Sequence, residues 1–163
     1  MSKKKKGIII GASLVVLVGL ISIILIKIFN KEDAYRIIKI YEVEGTAKVT
    51  RDNIGEIEPY NNMLLESGDL VFLDTGTMTL KMDDDKYAYV EEQTEFSIIA
   101  KGTAENSKTT IKLNKGAITN EIQNKLSEES SYEVNTPNST MAVRGTIFRV
   151  EVYYDENGVC YTK

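Results

Sequence analysis

Apolar and polar residues change their pattern once along the chain, near residue 30. Residues 8–26 are a run of 19 residues without a charge, whereas apolar and polar residues mostly alternate from Ile37 onward. A helix of that length spans about 28 Å, close to the hydrocarbon thickness of a bilayer. Alternation is typical of β-strands with one buried face. The pattern predicts one N-terminal transmembrane α-helix followed by an all-β ectodomain, an antiparallel sandwich or meander of short strands.

The charges around the apolar run predict its orientation. Lys3–Lys6 precede it, whereas Lys27 and Lys31 on the other side are followed by Glu32 and Asp33. The stronger positive cluster stays in the cytoplasm, so the helix runs from inside to outside. A cleavable signal peptide is the alternative, but its apolar region is usually about 7–15 residues long and ends at a small-residue cleavage site. We therefore predict an uncleaved signal anchor.

This reading divides the chain into four parts. They are a basic cytoplasmic tail at residues 1–7, a transmembrane signal anchor at 8–29, a linker at 30–36 and an extracytoplasmic β-domain at 37–163. The protein is thus expected in the cell membrane as a single-pass protein, in contact with the lipid bilayer through residues 8–29. The last strand pattern begins only a few residues before Lys163, which slightly favours a natural chain that continues and a β-domain that is incomplete at its C-terminus.

The alternation and the turn residues predict eleven strands. Gly45, Gly76 and Gly116 are among the glycines that mark predicted turns between them. The stretch Asn120–Glu129 also fits a partly helical segment, since Ile122 and Leu126 are four residues apart. The predicted strands are Ile38–Val43, Thr46–Arg51, Leu70–Leu73, Thr77–Met82, Lys86–Glu91, Glu95–Ala100, Thr109–Leu113, Ala117–Ile122, Tyr132–Asn135, Ile147–Tyr154 and Val159–Thr162.

Composition argues against several functional classes. The first 31 residues carry six Lys and no acid, so the remaining 132 residues hold 14 basic and 24 acidic side chains, a net charge of −10. Nucleic-acid binding needs positive charge, and we expect none here. The chain has no His and one Cys, which leaves no Cys/His zinc site and no His-based catalytic triad. We expect no enzyme activity, no cofactor and no metal; Asp83–Asp85 is interpreted as a solvated hairpin turn rather than a Ca²⁺ site.

Tyrosine is the abundant aromatic residue, with nine copies. Tyr87, Tyr89 and Tyr153 fall on the predicted exposed sides of strands. Such side chains either cover the sheet surface in pairs or anchor a binding partner. These three are the candidate surface-binding residues.

The segment from Asn135 to Val150 is the most distinctive in the chain. Pro137 requires Thr136 to be extended, and Gly145 permits a sharp change of backbone direction before the next strand. Arg144 lies between Val143 and Gly145 and is therefore expected to be half-buried and paired with a carboxylate or with carbonyl groups. On that reading, Arg144→Ala destabilises the domain by a few kcal/mol, about the loss expected for a buried partner.

This segment resembles the hallmark of the FecR domain family, in which a strand ending Val-x-Thr-Pro leads to Val-Arg-Gly-Thr-x-Phe-x-Val. The matching residues are Val134, Thr136, Pro137, Val143, Arg144, Gly145, Thr146, Phe148 and Val150. Segments resembling the opening strand, the Leu-x-x-Gly-Asp-x-Val segment and the Leu-x-x-Gly segment of the family lie upstream, in order, at residues 44–49, 63–71 and 113–118. The resemblance covers roughly residues 41–154, and its Thr-Pro to Arg-Gly-Thr block is specific.

The resemblance implies an extracytoplasmic β-domain. In the best-known members, regulators of iron-dicitrate transport, this domain relays an outer-membrane signal to a sigma factor. Residues 1–7 are too short for a sigma-binding segment, so the resemblance implies the domain rather than that relay. We expect a non-catalytic sensory or regulatory component that acts through an unidentified membrane or extracytoplasmic protein partner. The alternative is a cell-surface binding or scaffold module of the adhesion type, with no signalling role.

Overall fold

The computed structural model describes residues 36–103, 106–145 and 147–163, together with Gly19 and Ser22. Among these described residues there is no helix long and apolar enough to cross a bilayer. The predicted signal anchor at 8–29 lies outside them except for Gly19 and Ser22, so it stays a prediction.

The β-domain is all-β in its described residues, as the alternation predicts. The stretch that also fitted a helix is not helical: β-structure continues to Ile122 and the chain then runs through irregular backbone in which Leu126 is buried. The strands are β1 (Ile38–Arg51), β2 (Gly55–Ile57), β3 (Leu64–Leu65), β4 (Leu70–Met82), β5 (Lys86–Val90), β6 (Thr94–Gly102), β7 (Ser107–Ile122), β8 (Ser131–Thr136), β9 (Ser139–Val143), β10 (Ile147–Tyr154) and β11 (Cys160–Thr162).

Three of these strands are much longer than predicted. The strands β1, β4 and β7 have 14, 13 and 16 residues, and each joins two segments that the sequence pattern separates by a turn. The predicted turns at Gly45, Gly76 and Gly116 are therefore wrong: each glycine lies inside a continuous strand, with a φ between 88° and 96°. A glycine with positive φ bends a strand without ending it.

The bend between β1 and β4 depends on two glycines that face each other. Gly45 and Gly76 are paired in the register of the two strands. A Cβ atom added to Gly45 would lie 2.1 Å from the carbonyl oxygen of Thr75, and one added to Gly76 would lie 2.1 Å from that of Glu44. The two backbones thus approach so closely that neither position has room for a side chain.

The bends fold one sheet into two layers. The first layer contains, in order, β9, β8, the start of β7, β6, the start of β4, the end of β1 and β2. The second layer contains β11, β10, the end of β7, β5, the end of β4, the start of β1 and β3. Alternate residues of both layers form a single hydrophobic core, so the layers pack against each other as in a sandwich.

One strand pair departs from the predicted antiparallel arrangement. Strand β8 pairs in parallel with the start of β7. The end of β7 lies in the second layer, and residues 123–130 carry the chain back to the first layer beside the beginning of the same strand. A buried hydrogen bond then joins the layers, since the Tyr132 hydroxyl on β8 donates to Asn120 Oδ1 on β7 at 2.8 Å.

Candidate interaction surfaces of the β-domain

The hallmark segment forms a hairpin, a bend and the next strand. Thr136 ends β8, and its Oγ1 donates to the carbonyl oxygen of Ser139 at 3.2 Å. Pro137 is exposed in the turn. The Oγ1 atoms of Thr136 and Thr162 are 2.8 Å apart, and the Asn138 amide donates to the carbonyl oxygen of Cys160 at 2.9 Å. The hairpin is therefore attached to β11 at the end of the chain.

The second half of the segment divides its side chains between core and solvent. Val143 and Phe148 pack against the core, and Phe148 makes an edge-to-face contact with Tyr132 at 6.3 Å between ring centroids. Gly145 has a φ of 83°, and a Cβ added there would lie 3.3 Å from Lys125 Cα. Thr146 lies outside the described residues. The packing of Val143 and Phe148 against the core holds the bend in place.

Arg144 differs from the expectation drawn from its neighbours. It is exposed, and it has no hydrogen bond or ion pair with other residues that the structure describes. Met141 and Val143 alternate inward along β9, so Arg144 follows on the outer side. The expectation of a half-buried, paired Arg144 is wrong, and the expected loss of stability in Arg144→Ala therefore has no structural basis among the described residues.

Arg51, unlike Arg144, is enclosed and paired. Arg51 ends β1, and its guanidinium makes a bidentate contact with Asp69, with Nε–Oδ1 at 3.0 Å and Nη2–Oδ2 at 2.7 Å. The Asp69 side chain is only 2% exposed. Asp69 Oδ2 also accepts the backbone N–H of Glu66 at 2.8 Å. Sequence reasoning missed this pair, although Gly68-Asp69 belongs to one of the segments that carry the family resemblance.

A second ion cluster lies where the chain enters the β-domain. The backbone N–H of Arg36 donates to the carbonyl oxygen of Ala100 at 2.7 Å, and its Nε donates to Asp83 Oδ1 at 3.0 Å. Lys86 Nζ contacts Asp83 at 3.1 Å and Asp85 at 2.7 Å. We call Arg36, Asp83, Asp85 and Lys86 the entry cluster. The Arg36 and Lys86 side chains are 8% and 4% exposed. The carboxylates of Asp83 and Asp85 therefore neutralise two enclosed cations.

The entry cluster changes the interpretation of the three successive acids. They do form the β4–β5 turn, but Asp83 and Asp85 are largely enclosed and only Asp84 is fully solvated. Burial acts to raise the pKa of Asp85, and hydrogen bonds from Lys86 and Asn124 outweigh it, so the pKa is lowered. The prediction of a solvated turn is therefore wrong for two of the three residues.

The candidate tyrosines are brought to one outer face. Odd-numbered residues of β5 and β10 point away from the core, so Tyr87, Tyr89 and Tyr153 all lie on the outside of the second layer. The rings of Tyr87 and Tyr89 are 6.4 Å apart and nearly parallel. Tyr153 stacks on Tyr161 of β11 at 5.3 Å. We call these four residues the tyrosine face.

Polar contacts hold the tyrosine face in place. The Tyr89 hydroxyl donates to Glu121 at 2.7 Å, and this hydrogen bond raises the pKa of Tyr89. Between the two tyrosine pairs, Arg149 contacts Glu91 at 2.6 and 2.9 Å and Glu151 at 2.7 Å. The hydrogen bonds from Arg149 lower the pKa of Glu91. The face combines stacked aromatic rings with paired charges, a composition that is common at protein-binding surfaces.

One cleft contains two arginines that already have carboxylate partners. This cleft, of about 550 Å³, lies beside the chain entry and includes Arg36 and Arg51 in its lining. Within the described ranges, no group of three or more His, Cys, Asp or Glu side chains is placed to hold a metal ion. Cys160 is half-buried in β11.

Comparison with known protein families gives the same family that the hallmark segment resembles. A family model described as FecR protein matches residues 69–161, which is more than half of the 163 residues. The match begins at Asp69, the partner of Arg51, and ends within β11, so it includes the whole hallmark segment. No curated protein and no solved structure matches the chain.

Proposed function

This chain belongs to the FecR protein family, and on that premise we propose that it is a single-pass membrane protein with a regulatory β-domain outside the cytoplasm. The domain acts without catalysis, as a sensory or signal-transmitting component that works through a protein partner. FecR proteins are a regulatory family rather than a family of enzymes. The membrane attachment rests on the apolar run at residues 8–26 and on its asymmetric charges.

The observation that carries the proposal is the hallmark segment itself. Its inward side chains, such as Val143 and Phe148, have packing roles, whereas Arg144 is exposed and has no structural partner among the described residues. Exposed polar residues that do not stabilise a fold are candidates for binding. The enclosed charges of Arg51 and of the entry cluster are paired within the domain.

The membrane topology is tested with single cysteines. In a Cys160→Ser background, Glu156→Cys places a thiol in the exposed β10–β11 turn, and Lys3→Cys places one in the basic tail. A membrane-impermeant maleimide applied to intact cells should label the first protein and should label the second only after permeabilisation. The reverse pattern, or equal labelling of both before permeabilisation, contradicts the proposed orientation.

The partner is tested by cross-linking full-length 1–163 in membranes and identifying the products by mass spectrometry. A specific membrane or cytoplasmic signalling protein among the products supports the regulatory function.

The tyrosine face favours a second candidate, a surface-binding module of the adhesion type, because paired exposed aromatic side chains make good contact surfaces. Recovery of only cell-wall polymer or structural envelope proteins, lost in Tyr89→Ala and Tyr153→Ala, supports that candidate and contradicts signalling.

A further inference from the structure

Strand β9 is an open edge of the first layer. It pairs with β8 along its whole length, from Ser139 opposite Thr136 to Val143 opposite Tyr132. On its other side there is no strand among the residues that the structure describes. Such an edge presents unpaired N–H and C=O groups that another extended segment can bind. The terminal strands β2 and β11 have only three residues each, so β9 offers a longer edge than they do.

The edge lacks the features that usually prevent strand addition. Ser139–Val143 contains no charged residue and no proline, and its register with β8 is continuous without a bulge. Natural edge strands commonly carry Lys, Pro or a bulge for this purpose. Thr140 and Ala142 are exposed and small. Nothing in the side chains of β9 therefore opposes an added strand.

The edge is also held rigidly. Met141 and Val143 pack against the core. At the other end, Thr136 binds Ser139 and Asn138 binds Cys160, which attaches the hairpin turn to β11. A preformed edge costs little ordering entropy when a segment binds to it.

Arg144 adds a charge requirement at one end of this edge. The chain has four arginines. Arg36, Arg51 and Arg149 each contact carboxylates in the domain, whereas Arg144 is exposed and contacts none among the described residues. An arginine binds a carboxylate strongly because its planar guanidinium donates two parallel hydrogen bonds. A free arginine directly after an open strand thus favours an acidic residue in the bound segment.

We propose that β9 binds an extended segment of another protein as an added strand, with an Asp or Glu of that segment paired with Arg144. This names the contact surface for the partner, so it rests on the proposed regulatory function. A second copy of the chain fits less well. In antiparallel self-pairing centred on Met141, Arg144 lies opposite position 138, which is an asparagine. Residues 37–163 of each copy also carry a net charge of −9, so two copies repel each other.

The experiment selects peptides on the purified full-length chain in nanodiscs. The probe is a displayed library of random nine-residue peptides. We expect enriched peptides to alternate β-branched and other residues and to share an Asp or Glu at a fixed place. Amide hydrogen exchange of the complex should show new protection in Ser139–Val143. A failure to enrich any peptide, or new protection in another element, would overturn the proposal.

Two charge variants test the role of Arg144. Arg144→Glu should weaken binding of the acidic peptides by about tenfold or more and should favour peptides with Lys or Arg at that same place. The matched control is Lys108→Glu, which makes the same charge change at an exposed residue of β7 in the same layer and should leave the affinity unchanged. Equal effects of the two variants would show a general charge effect and overturn the specific pairing.

Two further measurements distinguish peptide binding at β9 from a loss of folding and from self-association. Near-UV circular dichroism should show the same thermal midpoint for Arg144→Glu and the parent chain, because Arg144 stabilises nothing among the described residues. Sedimentation of the chain without peptide should show a monomer; a dimer with protected β9 amides would identify a second copy as the occupant and overturn the proposal. Peptide binding is measured without cells, so its result is separate from that of the topology and cross-linking tests.

Discussion

At the scale of single residues, the enclosed charges of the domain have close partners. Asp69 is almost completely enclosed and receives two hydrogen bonds from Arg51 and one from the backbone of Glu66. An enclosed ion pair of this kind contributes little net stability compared with apolar residues, but removal of one partner leaves the other charge uncompensated. The stability of this corner of the fold therefore depends on both residues.

We expect Asp69→Asn to lower the free energy of unfolding by about 3 kcal/mol and the thermal midpoint by about 10 °C. The reason is that Arg51 loses its carboxylate partner, so that its enclosed positive charge is left uncompensated. The measurement is thermal unfolding of the full chain by near-UV circular dichroism, which follows the β-domain because all nine tyrosines come after residue 34. In the control, Glu56→Gln changes an exposed partner of Lys48. Similar midpoints for both variants would contradict the assignment.

At the scale of elements, continuous bent strands connect the two layers. Gly45 and Gly76 lie opposite each other where β1 and β4 bend. In sequence they resemble turn glycines, since both follow strand-like segments. The distinction depends on the partner strand, because pairing that continues on both sides of a glycine turns a predicted loop into a bend. Local pattern alone carries no information about that partner.

We expect Gly76→Ala to destabilise the domain by about 1–3 kcal/mol more than Gly55→Ala. Both glycines have a similar positive φ, 91° and 96°, so both substitutions carry the same conformational penalty. Only the methyl group at position 76 meets a backbone oxygen, whereas nothing lies within 4 Å of the one at position 55. Chemical denaturation of both variants measures the difference. Equal losses would show that φ, and not the close approach of the strands, requires the glycine.

At the scale of the whole molecule, the entry cluster joins parts of the chain that are far apart in sequence. Arg36 begins the described domain, Asp83 and Asp85 lie in the β4–β5 turn, and Asn124 follows β7. Together they connect the chain entry to both bent strands β4 and β7. Because the pKa of Asp85 is lowered in the folded state, its ionised form contributes stability above the ordinary carboxyl pKa and that contribution is lost as the pH falls through the lowered value.

We expect the domain to lose stability as the pH falls below about 4, and to lose less of it in Asp85→Asn. This variant should be less stable than the parent at pH 7, since Lys86 and Asn124 lose a charged acceptor. The measurement is the thermal midpoint at a series of pH values between 7 and 2. Asp84→Asn, at the exposed middle of the same turn, is the control and should follow the parent. An unchanged acid dependence in Asp85→Asn would contradict the role of this carboxylate.

The alternation of residue types was sufficient to predict the all-β class and most strand positions, because a half-buried strand needs a period of two wherever it pairs. The hallmark segment was likewise sufficient to indicate the family. Both are local properties of the chain, because residues close together in sequence determine them and the rest of the fold does not.

Only the tertiary structure decided which charges and aromatic rings meet. The expectation of a half-buried Arg144 is wrong because this residue is exposed, whereas Arg51, which the sequence pattern does not single out, is paired with the enclosed Asp69. Tyr87 and Tyr153 lie 66 positions apart, and they share one face because β5 and β10 both flank β7. Such contacts depend on strand order and register, which are set by packing of the whole core, and no spacing along the chain specifies them.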